Sequence, residues 1–501
     1  MTPSSFSFSL PRPARALLPV ALVLALGACA SSGGLHPQGQ LLDADTLHSA
    51  HTLASNDLAV AGFPASDWWH GFGDAQLDAL VAEGLAGHPS LELADARLRQ
   101  AEAQAGMARA ERLPSLSVSG GYTGLRLPES LLGDEMGGSY MGSGQALASF
   151  SYGFDLWGGK RAAWEAAVDA VHAAAVDAQA ARLKLSSGIV QSYIELDRAW
   201  AANDVAEQEL ERARKTLQLV RQRREAGVDS DLQVRQAEAR IPAAQQQLQA
   251  AQQQIDEART ALAALLGKGP DRGLDIQRPQ ALKAGALQLP GVLPSELIGR
   301  RPDIVAARLR VEAAGKQVKV AKTRFYPSLN LTAMAGVAAP GVGDLLKSSS
   351  TLAYLGPALS LPIFDGGRLR SNLAGADAQY DLAVATYNQN VVEALRDVAD
   401  QVNAVRSLQQ QVQSQQQALD TASAAFELAD KRYQAGIGSY LEVLGVQAQL
   451  LAAQQGLTTL HARQLLAATR LTQALGGGFE PAATDAGAAS DNSSSSVSSH
   501  S

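Results

Sequence analysis

The stretch of sequence that decides the fold occurs twice in this chain of 501 residues. Residues 223–228 read RREAGV, and residues 432–437 read RYQAGI, 209 positions further along. A Leu-Gly pair follows each copy and recurs at the same offset, at 266–267 and 475–476. A constant offset over so long a stretch indicates a duplicated unit whose length changes are confined to loops. We therefore expect two internal repeats, each a small structure in itself.

The duplication extends upstream of these segments. LPSL at 113–116 matches YPSL at 326–329, at an offset of 213. FDLWGGK at 154–160 matches LPIFDGGR at 361–368. Within each half the pattern predicts a helix, two strands joined by a loop, a long helix, a turn and a returning helix.

Two long helices dominate this prediction. No proline interrupts residues 160–226 or 368–435, and at about 1.5 Å per residue each helix would reach about 100 Å. Residues repeat every seven positions along both helices, which keeps one stripe facing a neighbour in a left-handed supercoil. The stripe of the second half is Val398, Val405, Val412, Leu419 and Phe426, and its counterparts are Ile189, Leu196, Asn203, Leu210 and Leu217.

Gly227 and Gly436 are predicted to end the long helices, because glycine permits the positive φ that a helix terminus often requires. The chain then returns through helices predicted over residues 232–266 and 441–475. Each half therefore contributes one long helical hairpin.

Shorter helices are predicted to open the two halves over residues 74–112 and 302–325, each stopped by a following proline. Alternation of apolar and small polar residues then predicts strands with one apolar face and one polar, water-facing face. The strands lie near 115–122, 149–156, 329–333 and 357–363, with a glycine-rich loop at 133–144. Pro357 and Pro362 weaken the last strand, because proline removes a ladder donor.

The N-terminus carries a different signal. Arg12 and Arg15 precede an apolar stretch, Ala16–Ala28, which ends in LGA directly before Cys29 and resembles a bacterial lipobox. Such a leader is cleaved before the cysteine, whose thiol then carries diacylglycerol that anchors the mature chain to a membrane. By the same resemblance, Ala30 implies the outer membrane of a Gram-negative envelope. The alternative is a short apolar leader with a chance cysteine.

The composition of the chain argues against several classes of function. The net charge is −7 and no basic cluster stands out, so nothing predicts nucleic acid as a partner. Cys29 is the only cysteine, which leaves no thiol for a disulfide or a zinc cluster. After the leader no run of about 18 apolar residues provides a transmembrane helix. No metal, phosphate-loop or Ser/His/Asp motif is present, so we expect neither an enzyme nor a cofactor beyond the covalent lipid.

Four strands per chain are too few for a membrane barrel, which needs about eight, and open sheet edges are not tolerated in lipid. The strands would then be pooled between subunits, and three chains would supply twelve strands and twelve long helices. The alternative is that the strands pair within a soluble domain.

At this point the chain resembles the outer-membrane efflux lipoproteins of the TolC/OprM type, in the NodT group. The matching segments span residues 68–476 and include DLWG at 155–158, LPIFDGG at 361–367 and RYQAGIGSYLEVL at 432–444. The resemblance implies a mostly helical fold with membrane strands: a homotrimeric α-barrel continued by a 12-stranded outer-membrane β-barrel, four strands per chain.

The same resemblance implies a passive exit duct for small molecules such as drugs and toxic compounds. Its expected partners are a periplasmic adaptor, an inner-membrane pump of RND type and outer-membrane lipid. The alternative is a lipid-anchored periplasmic coiled-coil protein with a structural or adaptor role. Adaptors of that kind carry one hairpin flanked by separate β-domains, whereas here two hairpins each follow a strand pair.

In the family, the tips of the helical hairpins meet the adaptor. The residues of this chain that match that role are Gly227, Val228, Ser230, Leu232, Gly436, Ile437, Ser439, Tyr440 and Leu441. The alternative is a pair of ordinary helix C-caps with core residues nearby.

Glu442 matches one carboxylate of the family's periplasmic gate, where three copies would form an acidic ring that attracts cations. Gly445 stands where relatives often carry the second acidic residue, so the gate chemistry departs from the family pattern. The alternative for Glu442 is a solvated side chain on a helix.

These inferences divide the chain into five segments. We predict a lipoprotein signal peptide, a lipidated N-terminal extension, two efflux-protein repeats and a disordered tail. Their bounds are 1–28, 29–73, 74–290, 291–478 and 479–501.

Overall fold

A computed structural model describes most of the chain between Gly33 and Glu480. The described residues are 33–43, 46–47, 59–61, 63–126, 128, 130, 140–280, 282, 288–290 and 299–480. The predicted signal peptide, Cys29 and all but the first two residues of the predicted tail lie outside them, as do residues 131–139 of the glycine-rich loop.

The described residues form seven α-helices with assigned bounds, four short 3-10 helices and six strands. The helices are α1 Ala75–Gly87, α2 Pro89–Ala110, α3 Gly159–Glu225, α4 Asp231–Leu265, α5 Pro302–Thr323, α6 Arg368–Gln434 and α7 Tyr440–Ala474. The strands are β1 Ala59–Ala61, β2 Ser115–Arg126, β3 Tyr140–Phe154, β4 Gln288–Pro290, β5 Ser328–Ala339 and β6 Thr351–Ser360.

The predicted duplication is confirmed element by element. Helices α3 and α6 each have 67 residues, α4 and α7 each have 35, and α2 and α5 each have 22. Strands β2 and β5 each have 12. Equal lengths in both halves show that the two copies keep the same local structure.

One helix prediction was wrong. The segment predicted as a single helix over residues 74–112 forms two helices, α1 and α2, which break at His88. The backbone of His88 is extended, with ψ of 134°. Pro89 explains the break, because proline lacks the amide hydrogen and disfavours a helical conformation in the residue before it.

The four longer strands form one antiparallel sheet in the order β2-β3-β5-β6. Pro357, which weakened the prediction of the last strand, lies inside β6 opposite Leu331. Within the sheet of this chain β6 is an edge strand, a position where proline occurs because it cannot donate to a ladder on both sides. β3 already begins at Tyr140, so the glycine-rich loop is shorter than predicted. β1 and β4 form a separate parallel pair.

The chain divides into two compact units. The first, here called the sheet unit, comprises described residues 33–41, 99–173 and 307–387 and contains the four-stranded sheet. Its core is formed by Val318, Ala321, Phe325, Leu369 and Leu373. Segments from both repeats build it, so the expectation that each repeat is a structure in itself was wrong.

The second unit, here called the turn unit, comprises described residues among 42–98, 174–306 and 388–480. It contains the helix-to-helix turns at Gly227 and Gly436 and, again, segments of both repeats. Its largest core surrounds Ile189, Tyr193 and Leu196 of α3. The predicted stripe is buried at Ile189, Leu196, Asn203, Leu210, Val398 and Val405.

No helix among the described residues has a stretch that is long and apolar enough to cross a membrane. The predicted fold class is confirmed: the described chain is mostly helical, with two repeats, two long helical hairpins and one four-stranded sheet.

Candidate functional site at the two hairpin turns

The first turn, residues 226–230, ends α3 with a glycine in the left-handed conformation. Gly227 has φ of +75°. Its N–H donates to the carbonyl of Arg224 at 3.0 Å, and the N–H of Val228 donates to the carbonyl of Arg223 at 2.9 Å. This pair of bonds is a Schellman motif, which satisfies the last carbonyls of the helix.

The second turn, residues 435–439, repeats this geometry. Gly436 has φ of +79°. Its N–H donates to the carbonyl of Tyr433 at 3.0 Å, and the N–H of Ile437 donates to the carbonyl of Arg432 at 3.0 Å. The predicted helix-ending role of both glycines is therefore observed.

A serine caps the returning helix after each turn. The N–H of Ser230 donates to Oε1 of Gln233 at 2.6 Å. In the second turn the N–H of Ser439 donates to Oε2 of Glu442 at 3.1 Å, and the N–H of Glu442 donates to Oγ of Ser439 at 3.2 Å. This reciprocal pair is a capping box. The carboxylate predicted to form a gate thus has a hydrogen-bond partner in its own chain.

Each turn exposes a matched pair of aliphatic side chains. Val228 and Leu232 are 59% and 66% exposed, and their counterparts Ile437 and Leu441 are 72% and 75% exposed. Exposed aliphatic clusters of this kind mark surfaces that other molecules cover. These four side chains are available for the contact that the sequence predicts.

The contact role of the Tyr440 side chain needs correction. Only 3% of Tyr440 is exposed, and it packs in a buried cluster with Val220, Ala237, Tyr433 and Val443. The ring of Tyr440 lies 5.9 Å from that of Tyr433. The aromatic side chain therefore supports the turns from inside and presents no surface to a partner.

A buried ion pair in the first turn is hydrogen-bonded to the second. Nε of Arg223 lies 3.1 Å from Oδ2 of Asp229, and the two side chains are 13% and 4% exposed. The hydroxyl of Tyr433, at the end of α6, donates to the same carboxylate. Nη1 of Arg223 donates to the carbonyl of Tyr433 at 2.6 Å, and the guanidinium lies 4.3 Å from the centre of its ring. We call these three residues the turn clasp.

Electrostatics favour a charged guanidinium and a neutral phenol in the turn clasp. Burial lowers the pKa of Arg223, but the hydrogen bond and charge of Asp229 outweigh it, so the pKa is raised overall. Burial raises the pKa of Tyr433, and the hydrogen bond to Asp229 raises it further. Tyr433 therefore stays protonated and donates to Asp229 throughout the physiological range of pH.

Sequence reasoning missed the turn clasp, although a signal for it exists. The two turns match at their glycines but differ two residues later, where Asp229 faces Gly438. Tyr433 likewise faces Arg224, so two of the three residues of the turn clasp stand at positions where the repeats differ in charge.

A second polar network lies deeper in the turn unit. Glu209 of α3 is 3% exposed, and its carboxylate accepts hydrogen bonds from Gln447 at 2.9 Å and from Arg240 at 3.2 Å. Arg212 donates to the other oxygen of Glu209 at 3.2 Å. The network joins α3, α4 and α7, so both hairpins share one buried carboxylate. No group of side chains able to hold a metal ion occurs in the described part of the chain.

Comparison with known proteins identifies relatives along most of the chain. The family model described as "Outer membrane efflux protein" matches residues 80–268 and 293–477. The fusaric acid resistance protein FusA of Burkholderia cepacia is 38% identical over 378 residues, covering 73% of this chain and 69% of FusA. The multidrug resistance outer membrane protein MdtP of Shigella flexneri is 32% identical over 441 residues, covering 85% of this chain and 89% of MdtP.

The fold also matches a solved structure. The outer membrane protein VceC of Vibrio cholerae superposes with a TM-score of 0.76 and 37% sequence identity. The match covers 83% of this chain and 100% of the VceC chain.

Proposed function

This chain belongs to the outer membrane efflux protein family, and from that premise we propose that it is the outer-membrane channel of a tripartite efflux system. It provides a passive exit duct for small molecules, and a partner inner-membrane pump of RND type supplies the energy. The observation that carries the proposal is the matched pair of exposed aliphatic side chains at the two hairpin turns, in a chain of this family.

The edges of the sheet support a homotrimer. β2 and β6 are the outer strands, and within the described residues neither pairs on its outer side. Their exposed apolar side chains include Leu116, Val118, Leu355 and Leu359. Lipid does not tolerate unpaired edges, so β2 of one subunit would pair with β6 of the next. Three copies give a closed barrel of twelve strands.

The turns supply the surface for a periplasmic adaptor. Val228, Leu232, Ile437 and Leu441 would contact apolar side chains of the adaptor, while Ser230 and Ser439 fix the direction of the returning helices. The glycines contribute through backbone shape, since nothing lies within 4 Å of the position that a Cβ would occupy at either one.

The turn clasp would hold the periplasmic end of the duct in one arrangement. It joins the first hairpin to the second within one chain, so the turns cannot separate until the hydrogen bonds from Tyr433 to Asp229 and from Arg223 to the Tyr433 carbonyl are broken. Three copies of Glu442 would place carboxylates near the same end and favour cations in the duct.

Lipidation of Cys29 is part of the proposal. The segment after it runs beside α6: Gly33 lies next to Arg370, and the N–H groups of Gln38 and Gly39 donate to Oδ1 of Asp381 at 2.8 Å and 2.6 Å. Cys29 lies four residue steps before Gly33, a stretch of chain that spans at most about 14 Å. The lipid would therefore attach near the start of α6, where the strands of the sheet unit end.

The test combines export with a matched control. A host lacking this protein is complemented with wild type, with the double variant Ile437→Asp/Leu441→Asp, or with Leu274→Asp, and its tolerance of toxic compounds is measured. Leu274 is also exposed, at 66%, but lies outside the turns. We expect the double variant to lose tolerance and the control to retain it.

Electron microscopy and conductance test the assembly itself. Detergent-solubilised mature protein is expected to show three-fold end views and to form conducting channels in planar bilayers. Monomeric particles that do not conduct would refute the duct.

A further inference from the structure

The helix ends that adjoin the four-stranded sheet carry a surplus of cations. α2 and α5 end just before β2 and β5, and α3 and α6 begin just after β3 and β6. The four junction segments are residues 103–114, 155–166, 316–327 and 361–375. Together they contain ten basic and four acidic side chains, although the whole chain has a net charge of −7. All four segments belong to the sheet unit.

Most of the acidic groups in these segments are already engaged. Asp155 accepts the N–H groups of Lys160 and Arg161 at 3.0 Å and 2.8 Å, which caps α3. Asp365 accepts the N–H of Leu369 at 2.8 Å and likewise caps α6. Oε1 of Glu165 lies 2.7 Å from Nε of Arg161. The fourth acid, Glu111, directly precedes Arg112.

Six exposed cations form no ion pair with any residue that the structure describes. They are Arg109, Lys319, Lys322, Arg324, Arg368 and Arg370, and we call them the junction cluster. An uncompensated group of exposed charges creates a local potential that attracts anions.

Exposed apolar side chains lie beside the junction cluster. Ile363 and Phe364 are 78% and 91% exposed, and Trp157 is 46% exposed. The ring of Trp157 stacks on Tyr326 with 4.8 Å between centroids, and its Nε1 donates to the carbonyl of Pro327 at 2.7 Å. Tryptophan and tyrosine of this kind lie where hydrocarbon meets the lipid headgroups.

Three cations of the junction cluster lie close to the aromatic pair along the chain. Lys319, Lys322 and Arg324 precede Tyr326 by seven, four and two residues. At about 1.5 Å per helical residue they lie within about 10 Å of the aromatic level. This distance is comparable to the Debye length at physiological ionic strength, so their field reaches a headgroup there.

We propose that the junction cluster binds the headgroups of anionic phospholipids in the periplasmic leaflet of the outer membrane. The inference rests on the proposed function, which puts the sheet in the membrane and the helices in the periplasm. The binding surface centres on α5, because the positions of α2 that correspond to Lys319, Lys322 and Arg324 are Gly106, Arg109 and Glu111. The first repeat therefore supplies one of these three charges and a carboxylate.

The test measures lipid selectivity of the detergent-solubilised protein. Native mass spectrometry follows titration with phosphatidylglycerol and, separately, with zwitterionic phosphatidylethanolamine. We expect wild type to bind phosphatidylglycerol at least roughly tenfold more tightly than phosphatidylethanolamine, and we expect increasing salt to reduce that preference. The variant Lys319→Gln/Lys322→Gln/Arg324→Gln keeps the helix-forming stems and is expected to lose most of the preference.

A control variant removes the same charge elsewhere. Arg214→Gln/Lys215→Gln/Lys268→Gln changes exposed cations of the turn unit and is expected to keep the lipid preference. The proposal is overturned if the α5 variant keeps the preference of wild type for phosphatidylglycerol. It is also overturned if the control variant loses as much of that preference as the α5 variant does. Displacement of the lipid by inorganic phosphate alone would also overturn it, since that result indicates a free-anion site.

Failure of this inference can be told apart from failure of the channel proposal. Single-channel conductance of wild type and both variants is recorded in bilayers of phosphatidylethanolamine. All three are expected to conduct, because the proposal places the junction cluster against lipid headgroups and not in the duct. Conduction without lipid selectivity refutes only the lipid site, whereas a wild type that does not conduct refutes the channel.

Discussion

The two hairpin turns share a backbone and differ in their side chains. Both end a helix of 67 residues with a left-handed glycine and start a helix of 35 residues with a serine. The first turn supplies the charges Arg223 and Asp229, and the second supplies the ring and hydroxyl of Tyr433. Main-chain geometry is thus common to both copies of the repeat. Arg223 has a counterpart in Arg432, whereas Asp229 and Tyr433 each occur in one copy only.

The largest effect should come from breaking the turn clasp. Asp229→Ala leaves the Arg223 guanidinium buried without its counter-charge, which typically costs about 3–5 kcal/mol. Hydrogen exchange of backbone amides in residues 223–231 and 433–440 should accelerate together, because the clasp connects both turns. The control is Asp231→Ala, whose carboxylate is 79% exposed and pairs with Arg224. Equal acceleration in the two variants would contradict a special role for the buried pair.

Alanine at the turn glycines should have a smaller effect that is equal at both turns. Gly227→Ala and Gly436→Ala each place a Cβ on a backbone with positive φ, at a cost of about 1–2 kcal/mol. Both positions are open, so strain is the only penalty. Thermal stability checks this, with Gly445→Ala in the interior of α7 as a control that should gain about 0.5–1 kcal/mol. Unequal losses would show that the two turns are not backbone equivalents.

Removal of one hydroxyl should have a still smaller effect, with a characteristic dependence on pH. Because the folded-state pKa of Tyr433 is raised, the unfolded chain releases this proton first, above about pH 10. Wild type should therefore lose stability as the pH rises above that value, and Tyr433→Phe should lose less over the same interval. Below about pH 10 the free energy of unfolding of the variant should be lower than that of wild type by about 1 kcal/mol, the contribution of one hydrogen bond.

Alkaline unfolding followed by circular dichroism measures this difference. Tyr354→Phe serves as the control, because Tyr354 is 54% exposed and lies in the sheet unit. Parallel pH profiles for Tyr433→Phe and wild type would rule out the buried hydroxyl as the titrating group.

The smallest effect on stability should come from Glu442→Gln, since glutamine preserves most of the capping box. Its informative readout is the cation preference of single channels, which should fall if three copies of Glu442 face the duct. If the preference is unchanged, Glu442 acts only as the cap of α7. Gln233→Ala at the first turn is the matched control, because it removes the corresponding cap without changing charge.

Much of the site could be predicted because its signals are local. Turn glycines and proline-free helices depend on residues a few positions apart, and they appear in the structure within one or two residues of their predicted bounds. The break at His88 was not predicted from the sequence, although Pro89 indicates it. The burial of Tyr440 could not be read in this way, because the cluster that covers it includes Val220 and Ala237 from the other repeat.

The sequence by itself determined the duplication, the four helices of the two hairpins, the positions of the turns and the family. These follow from periodicity and from backbone preferences, which act over short distances along the chain. Tertiary structure alone decided which groups meet: the turn clasp joins residues about 200 positions apart, and the junction cluster draws on three separate segments. Packing brings residues together in space whatever their separation in sequence, so neither the compact units nor these two clusters could be read from either repeat alone.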